Sequence, residues 1–220
     1  MASILPLLSL RGENLRSTLD VGDFTVILEE PIFGDIGQDI YPLSAQVFNR
    51  ISAGTIDPRW LTHSVFRCPP TTNRKTWAYV TSGMSNPWES ETPEEFSGLG
   101  TEFLMETLEE TEWAIDVMHT LMAYNLLLAA GKMGNFPSLN YGHRVPLALS
   151  ESIKSMMFVY PHDFPHNFSI QSGQVDLIQV VGITPTELEF AKETSSEELK
   201  IKIINATGNL LTQRDRDSVV

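Results

Sequence analysis

The segment from Trp113 to Gly131 constrains the fold more than any other part of the sequence, because it is apolar on nearly every side. Its hydrophobic residues recur at helical spacing in two stripes: Trp113, Val117, Leu121, Tyr124 and Leu128 in the first, and Ile115, Met118, Met122, Leu126 and Ala129 in the second. A helix that is apolar all round belongs in the interior of a protein. The rest of the chain must therefore supply the surfaces that cover it.

The polar residues of this segment argue against a membrane span. Asp116, His119 and Asn125 lie within it, and such side chains are expensive in hydrocarbon. Flanking cations are also missing on one side. We therefore predict a buried core helix that is capped by Thr111 and ends at Gly131.

Short apolar and β-branched stretches predict the strands of a sheet. They occupy residues 24–28, 61–66, 76–81, 99–105, 156–160 and 175–181. The stretch 156–160 is continuously apolar, which is typical of a strand buried on both faces. Strands and helices do not alternate regularly, and this order favours an α+β fold with a sheet covered by helices.

Loops and further helices follow from local signals. Gly and Pro mark residues 31–42, 82–98 and 134–150 as loops. A short helix is predicted over 46–51. Thr184-Pro185-Thr186-Glu187 has the pattern of a capping box, and Ser195 and Gly208 are expected to bound a last helix. Residues 214–220 are predicted to form a frayed tail.

The charge balance excludes two classes of partner. The chain has 220 residues, with 15 Lys and Arg against 28 Asp and Glu, so its net charge is −13. A chain this acidic is a poor ligand for nucleic acid and for anionic membrane surfaces. The single cysteine, Cys68, excludes an internal disulfide, and no signal-peptide pattern is present. We therefore expect a cytoplasmic protein.

Motifs that carry chemistry are few. The sequence contains no phosphate-binding loop and no nucleophile elbow. His162, Asp163 and His166 are spaced like metal ligands, but Pro161 and Pro165 bracket them and argue against a helix. We expect no catalytic residue, no metal and no cofactor. Two alternatives stay open: a hydrolase or metal enzyme that uses His143 with these three residues, and a structural subunit of an oligomer.

The acidic residues are concentrated in one part of the chain. Residues 76–131 contain no Lys or Arg and ten acids, namely Glu89, Glu91, Glu94, Glu95, Glu102, Glu106, Glu109, Glu110, Glu112 and Asp116. Such a span either keeps the protein soluble or steers a basic protein partner. We predict that a protein partner contacts Glu89, Glu91, Glu94, Glu95, Glu106, Glu109 and Glu110.

Four segments, in this order, resemble the suppressor-of-fused domain family. They are Val65–Arg67 with its proline turn, Trp77–Ser85, Ser97–Leu104 and Val175–Leu188. The second resembles the family's W-x-Y-V-[ST]-x-G-[ML]-S strand and loop, the third its S-G-F-G-x-E-L motif, and the fourth its L-Q-V-V-G-I-T-x-x-E strand and helix start. The resemblance implies structural roles for Trp77, Tyr79, Gly83, Ser97, Gly98, Gly100 and Gly182. Thr107 and Glu109 depart from the family, which often has a basic strand end there.

This resemblance implies a fold and a function. The fold is an α/β sandwich with a central mixed, largely antiparallel sheet, and the activity is protein binding without catalysis. The chain resembles the bacterial stand-alone members, which are thought to be immunity proteins that bind and neutralise a cognate polymorphic toxin. A basic toxin is therefore the expected partner, and the oligomeric state stays open. Within a single domain we expect an N-terminal arm over 1–56, the family core over 57–195, and a C-terminal helix and tail over 196–220.

Overall fold

A computed structural model of the chain describes residues 33–34, 40–51, 54–88, 90 and 92–220. The predicted strand 24–28 and much of the predicted arm 1–56 lie outside these residues. Eight strands and four α-helices, with one short 3-10 helix, occur in the described part. In chain order they are β1 (Ile40–Pro42), α1 (Ala45–Ile51), the 3-10 helix (Pro58–Thr62), β2 (Ser64–Cys68), β3 (Trp77–Ser82), β4 (Phe96–Thr107), α2 (Glu112–Ala129), β5 (Arg144–Pro146), β6 (Ser155–Val159), β7 (Asn167–Ile170), β8 (Gly173–Ile183), α3 (Pro185–Glu193) and α4 (Ser196–Thr207).

The strands form one mixed sheet in the order β1-β2-β3-β4-β8-β6-β5, and β7 pairs with the first part of β8. β4 and β8 run parallel, with Thr101 opposite Asp176, and every other pair is antiparallel. The prediction of an α+β fold with a mixed, largely antiparallel sheet is confirmed.

Helices cover both faces of this sheet. α2 packs on one face, where Tyr79 and Phe103 belong to the same core as Met118 and Met122. α3 and α4 cover the opposite face of β6 and β8, and Leu199 packs there with residues of both strands. Successive residues of a strand point to opposite faces, and all five residues of β6 are buried because both of its faces are covered. The predicted burial of this strand is therefore confirmed.

The apolar helix is in the interior, as its two stripes predict. Twelve of the eighteen residues of α2 are buried. None of the helices in the described part of the chain combines the length and hydropathy that crossing a bilayer requires. His119 within α2 is satisfied by the carbonyl oxygen of Tyr41, 2.9 Å from its Nε2.

The predicted helix boundaries are correct where a local motif defines them. Thr184 and Glu187 form both bonds of the capping box at the start of α3. Ser195 caps α4, and Gly208 ends it with a φ of 78°. Thr111 occupies the predicted N-cap position of α2, but its side chain accepts no bond from the helix. The Thr111 amide instead donates to the Tyr79 hydroxyl at 2.7 Å, so a contact with β3 fixes this end.

Several predicted loops contain short strands. β1 and β5 lie in segments predicted as loops, and β7 was not predicted at all. Each has only three or four residues, so no periodicity is visible in the sequence. β1 and β5 also end in proline, which is tolerated at the edge of a sheet. They form because each pairs with the free edge of a longer strand, β1 with β2 and β5 with β6.

The prediction of a frayed tail over residues 214–220 is wrong, and the residues just before it are packed as well. Leu210, Leu211 and Thr212 are buried, and the Thr212 amide donates to the carbonyl oxygen of Glu106 at 2.9 Å. Further on, Arg216 forms an ion pair with Glu187 on α3. The tail is therefore part of the folded domain.

Candidate protein-binding groove

A buried carboxylate shapes the loop between β3 and β4. The Oε1 atom of Glu102 accepts bonds from the Gly83 amide, the Ser85 amide and the Ser85 hydroxyl, at 2.9, 2.9 and 2.7 Å. Its Oε2 atom accepts from the Thr81 hydroxyl at 2.6 Å. Burial raises the pKa of Glu102, and these four bonds only partly offset that effect. The side chain therefore holds the first residues of the loop to β4.

Two motif glycines let the loop lie close to β4. Gly98 has a φ of +59°, and a Cβ atom there would lie 2.5 Å from the carbonyl oxygen of Asn86. Gly83 has a φ of +124°, and a Cβ atom there would lie 2.6 Å from the His63 ring. Ser97 completes the contact by donating to the carbonyl oxygen of Ser85 at 2.6 Å. Gly83, Ser97 and Gly98 therefore all contribute to the packing of this loop.

The loop forms one wall of a groove with a volume of about 500 Å³. We call it the Trp88 groove. Its lining includes Trp60, His63, Trp88, Glu94, Phe96 and Leu99. The volume lies in the range of pockets that hold a ligand or a few side chains of a partner.

The floor of the Trp88 groove contains polar groups that lack partners. His63 is fully buried, and neither of its ring nitrogens forms a hydrogen bond of good geometry within the described part of the chain, although the main chain of Arg59 and Trp60 lies close to the ring. The same holds for the Nδ2 atom of Asn86. Burial lowers the pKa of His63 to about 4, although the main chain of Arg59 and Trp60 and the Asp57 carboxylate favour the charged ring. His63 is therefore neutral at pH 7, with one donor and one acceptor.

Aromatic and aliphatic side chains form the walls. The Trp88 ring stacks on His63 with centroids 6.0 Å apart, and the Arg59 guanidinium lies 5.8 Å from the Trp88 ring centre. Arg59 is itself paired with Asp57 at 2.6 Å. Phe96 and Leu99 are 41% and 39% exposed. The groove thus combines an apolar rim with polar groups below it.

The predicted acidic contact residues do not form one surface. Glu94 and Glu95 are exposed before β4, and Glu109 and Glu110 are exposed after it. A strand rises about 3.3 Å per residue, so the twelve residues of β4 separate the two groups by roughly 40 Å. Glu94 lines the Trp88 groove, whereas Glu110 is paired with Arg67 at 2.6 Å. Glu89 and Glu91 lie outside the described residues.

The prediction that Glu106 is a surface contact is wrong. Its exposure is 3%, and its carboxylate accepts bonds from the Thr76 hydroxyl at 2.6 Å and the Gln179 amide at 3.0 Å. Burial raises the pKa of Glu106. Like Glu102, Glu106 is a buried residue of β4 whose carboxylate is hydrogen-bonded inside the protein.

The remaining motif residues also occupy packed positions. Tyr79 is fully buried, and Trp77 is half-buried beneath the Arg67 guanidinium, 5.9 Å from its ring centre. A Cβ atom at Gly100 would lie 3.0 Å from that of Phe96, and one at Gly182 would lie 2.8 Å from Thr212. We infer that these motif residues have packing roles, Gly100 next to the groove residue Phe96 and Gly182 next to Thr212 before the tail.

The histidines of the alternative enzyme hypothesis have separate environments. His143 accepts a bond from the Asn140 amide, the His162 ring lies 3.9 Å from the Asp163 carboxylate, and the His166 ring packs against Tyr160. Among the described residues, no three His, Cys, Asp or Glu side chains come together as metal binding requires. The structure therefore offers this hypothesis no common site in that part of the chain.

Apart from the predicted contact residue Glu94 and the motif residue Gly98, the residues that line the groove could not be predicted from the sequence. They come from five separate parts of the chain, around positions 57–63, 84–90, 94–99 and 126–130 and at Ser172. No spacing connects these parts, so nothing in the sequence marks them as neighbours. The Ser-Gly-Leu-Gly run before Glu102 was the one available signal, because its glycines indicate a close approach of two backbones.

Comparisons with known proteins relate this chain to one family. The model of the family described as Suppressor of fused protein (SUFU) matches residues 59–217. A chain of the Sufu–Fu complex crystal structure is 18% identical with a TM-score of 0.58, and the match covers 81% of this chain and 92% of that one. No curated protein sequence matches the chain.

Two further solved structures have the same fold. A SUFU homolog from Neisseria gonorrhoeae FA 1090 is 20% identical with a TM-score of 0.58, over 91% of this chain and 94% of that one. Drosophila Suppressor of Fused is 18% identical with a TM-score of 0.56. That match covers 71% of this chain but only 42% of the Drosophila chain.

Proposed function

The chain belongs to the suppressor of fused family, which is a family of protein-interaction domains, and from this we propose that it is a non-enzymatic domain whose Trp88 groove binds another protein. The observation that carries the proposal is the unpaired polar floor of the groove. Buried polar groups are normally hydrogen-bonded, and His63 and Asn86 lack partners within the described chain. Because Trp88 stacks on His63 and covers it, a bound main chain would supply the missing donor and acceptor only when the Trp88 ring moves aside.

The rim of the groove fits a protein partner better than a small molecule. Phe96 and Leu99 expose apolar surface next to the half-buried rings of Trp60 and Trp88. Aromatic residues at the centre of an interface contribute much of the affinity of a complex. The groove is therefore suited to an apolar side chain presented by a partner's loop or strand.

The charge of the chain favours a basic partner. Its net charge is −13, and Glu94 lies at the groove with Glu95 beside it. The one cation that lines the groove among the described residues, Arg59, is paired with Asp57. An electrostatic field of this sign accelerates association with a positively charged protein.

A more specific role is consistent with these features. We propose that the chain is a cytoplasmic immunity protein of a bacterium, and that its partner is a basic toxin which it neutralises by binding. Support comes from the family's bacterial members, one of which resembles this chain over nearly its whole length. Many toxins that attack nucleic acid are basic, as their substrate requires.

A growth-rescue assay tests the proposed role. Proteins encoded beside this chain in its own genome would be expressed singly in a bacterial host, with and without the chain. We expect one of them to arrest growth, the chain to restore it, and the two proteins to co-elute in a stoichiometric complex. If the chain restores growth against none of the toxic neighbours, the immunity role is refuted.

Charge reversal at the two ends of β4 tests the position of the interface. Glu94→Lys should slow association with the rescued toxin by about threefold to tenfold at 50 mM salt, because rim charges act mainly on the association rate. The difference should shrink at about 300 mM salt, where screening is stronger. Stopped-flow fluorescence or surface plasmon resonance would measure the association rate at both salt concentrations.

Glu109→Lys is the matched control for that variant. It makes the same change at an exposed residue of the same span, at the far end of β4. We expect it to leave the association rate unchanged within a factor of about two, since exposed charges beyond one Debye length are largely screened. Equal slowing by both substitutions would show that the net charge matters and that the Trp88 groove is not the interface.

A further inference from the structure

The side chain of Arg216 lies in a closed pocket at the start of α3. Its two terminal nitrogens donate to the two carboxylate oxygens of Glu187, at 2.5 and 2.6 Å, and one of them also donates to the Gly182 carbonyl oxygen at 3.0 Å. The Glu187 side chain is fully buried, and that of Arg216 is 8% exposed. Two parallel bonds to a carboxylate require the planar fork of a guanidinium. We call this site the Glu187 pocket.

The acceptors of the Glu187 pocket are held in place without Arg216. The Oε2 atom of Glu187 accepts from the Thr184 amide at 2.9 Å as part of the capping box. Gly182 belongs to β8 in the centre of the domain. The Oε2 atom and the Gly182 carbonyl oxygen therefore keep their positions if the arginine leaves, whereas the other bond to the Oε1 atom comes from the Val219 amide. A site whose acceptors are preorganised binds its ligand with less loss of entropy.

Arg216 and Val219 are the two anchors of the segment that carries Arg216. Residues 213–220, which we call the strap, follow the buried residue Thr212. Six of these eight residues are exposed, and Arg216 and Val219 are only partly exposed. The Val219 amide donates to the Oε1 atom of Glu187 at 3.1 Å, and its side chain packs against the apolar cluster beneath α3 and α4. The strap therefore leaves the surface only if both anchors detach together, with the chain pivoting after Thr212.

Arg216 is an imperfect occupant of the pocket. Its Nε atom is buried and has no hydrogen-bond partner within the described part of the chain. A buried donor without an acceptor weakens the interaction that places it there. An arginine from another chain that brings its own acceptor to this position would be held more tightly.

The surface beside the pocket has the charge that an arginine-bearing segment requires. A shallow groove of about 370 Å³ is lined there by Glu189, Glu193, Phe190 and the strap's own Val220, together with Pro185 and Thr186. Its carboxylates can pair with further cations of a basic segment, and its apolar residues can contact the apolar side chains next to the arginine of that segment. Because Val220 forms one wall, the groove widens when the strap leaves.

We propose that the Glu187 pocket is a binding site for an arginine side chain of a partner protein, and that Arg216 occupies it in the free chain as an intramolecular competitor. The proposal does not depend on the Trp88 groove or on a toxin as the partner. It defines a second interaction surface, which a basic segment reaches by displacing the strap.

Peptide binding to a full-length variant tests this proposal. In Arg216→Ala the pocket is empty but its acceptors remain. The probe is an acetylated peptide with the sequence of residues 213–220, Gln-Arg-Asp-Arg-Asp-Ser-Val-Val, measured by calorimetry. We expect the variant to bind it at least about tenfold more tightly than the unchanged chain, in which the linked strap competes at a high effective concentration.

Two controls make the result specific. A peptide with lysine in place of its second arginine should bind Arg216→Ala at least about tenfold more weakly, because an ammonium cannot make the two parallel bonds. The double variant Glu187→Gln with Arg216→Ala should lose the preference for arginine. Equal binding of the arginine and lysine peptides, or equal binding by the variant and the unchanged chain, would overturn the proposal.

A third measurement covers the case in which Arg216→Ala does not fold. Arg216→Lys keeps a positive charge in the pocket and is used instead. The arginine peptide should then raise the thermal midpoint of this variant by about 3 °C or more at saturating concentration. A rise of the same size with the lysine peptide would also contradict the proposal.

Discussion

Replacement of Glu102 with alanine is expected to lower the free energy of unfolding by about 3–5 kcal/mol, because it leaves several buried donors without an acceptor. The amides of Gly83 and Ser85 and the hydroxyls of Ser85 and Thr81 all donate to this carboxylate. Each unsatisfied buried group costs about 1–3 kcal/mol. Urea unfolding followed by tryptophan fluorescence would measure the loss.

Glu102→Gln and Glu109→Ala are the controls for this effect. Glutamine keeps the carbonyl oxygen that can accept three of the four bonds, so a loss of only about 1–2 kcal/mol is expected. Glu109 is exposed at the end of the same strand, and its truncation should change stability by less than about 0.5 kcal/mol. If Glu102→Ala were no more destabilising than Glu109→Ala, the carboxylate would not organise the loop.

Replacement of Glu187 with alanine is expected to destabilise the domain by a similar amount, about 3–5 kcal/mol, because it leaves the Arg216 guanidinium buried without its counter-ion. It also removes the acceptor of the Thr184 and Val219 amides. Glu189→Ala, on an exposed turn of the same helix, is the matched control and should cost less than about 0.5 kcal/mol. A loss of less than about 1 kcal/mol for Glu187→Ala would contradict the structural role of the pair.

The ion pair of Glu187 and Arg216 also predicts how the stability difference between the unchanged chain and Glu187→Ala depends on pH. Burial tends to raise the pKa of Glu187, but hydrogen bonds from Arg216, Thr184 and Val219 outweigh it, and the pKa is lowered. The carboxylate of Glu187 is therefore protonated less readily in the folded state than in the unfolded state. The stabilisation is complete above the unfolded pKa of about 4.3, and it is lost as the pH falls through the lower folded value. The stability gap between the unchanged chain and Glu187→Ala should thus narrow below about pH 4.

The fold could be predicted where the decisive information is local. The capping box at Thr184–Glu187 and the terminating Gly208 act over a few residues, so the sequence alone places the start of α3 and the end of α4. The apolar helix is equally clear, because its burial follows from its composition. The strands β1 and β5 could not be predicted, since they exist only through pairing with neighbours that are remote in sequence.

The site could be predicted only in part. The acidic span suggests a surface, but Glu102 and Glu106 alternate with Phe103 and Met105 along β4, and both faces of that strand are covered. Charge counts carry no information about burial of this kind. The Trp88 groove depends on His63 and Trp88 meeting across two loops, and its polar floor becomes visible only once hydrogen bonds can be traced.

The single parallel pair in the sheet has a consequence for how the chain folds. β1–β4 form one antiparallel ladder and β5–β8 another, and in the described part of the sheet they join only along β4 and β8, from Phe96 opposite Gln174 to Leu104 opposite Gln179. Each ladder consists of contacts between near neighbours in sequence, whereas the junction must close a long loop that contains α2. Because loop closure opposes such remote contacts, we expect the two halves to form early and their docking along β4 and β8 to set the folding rate.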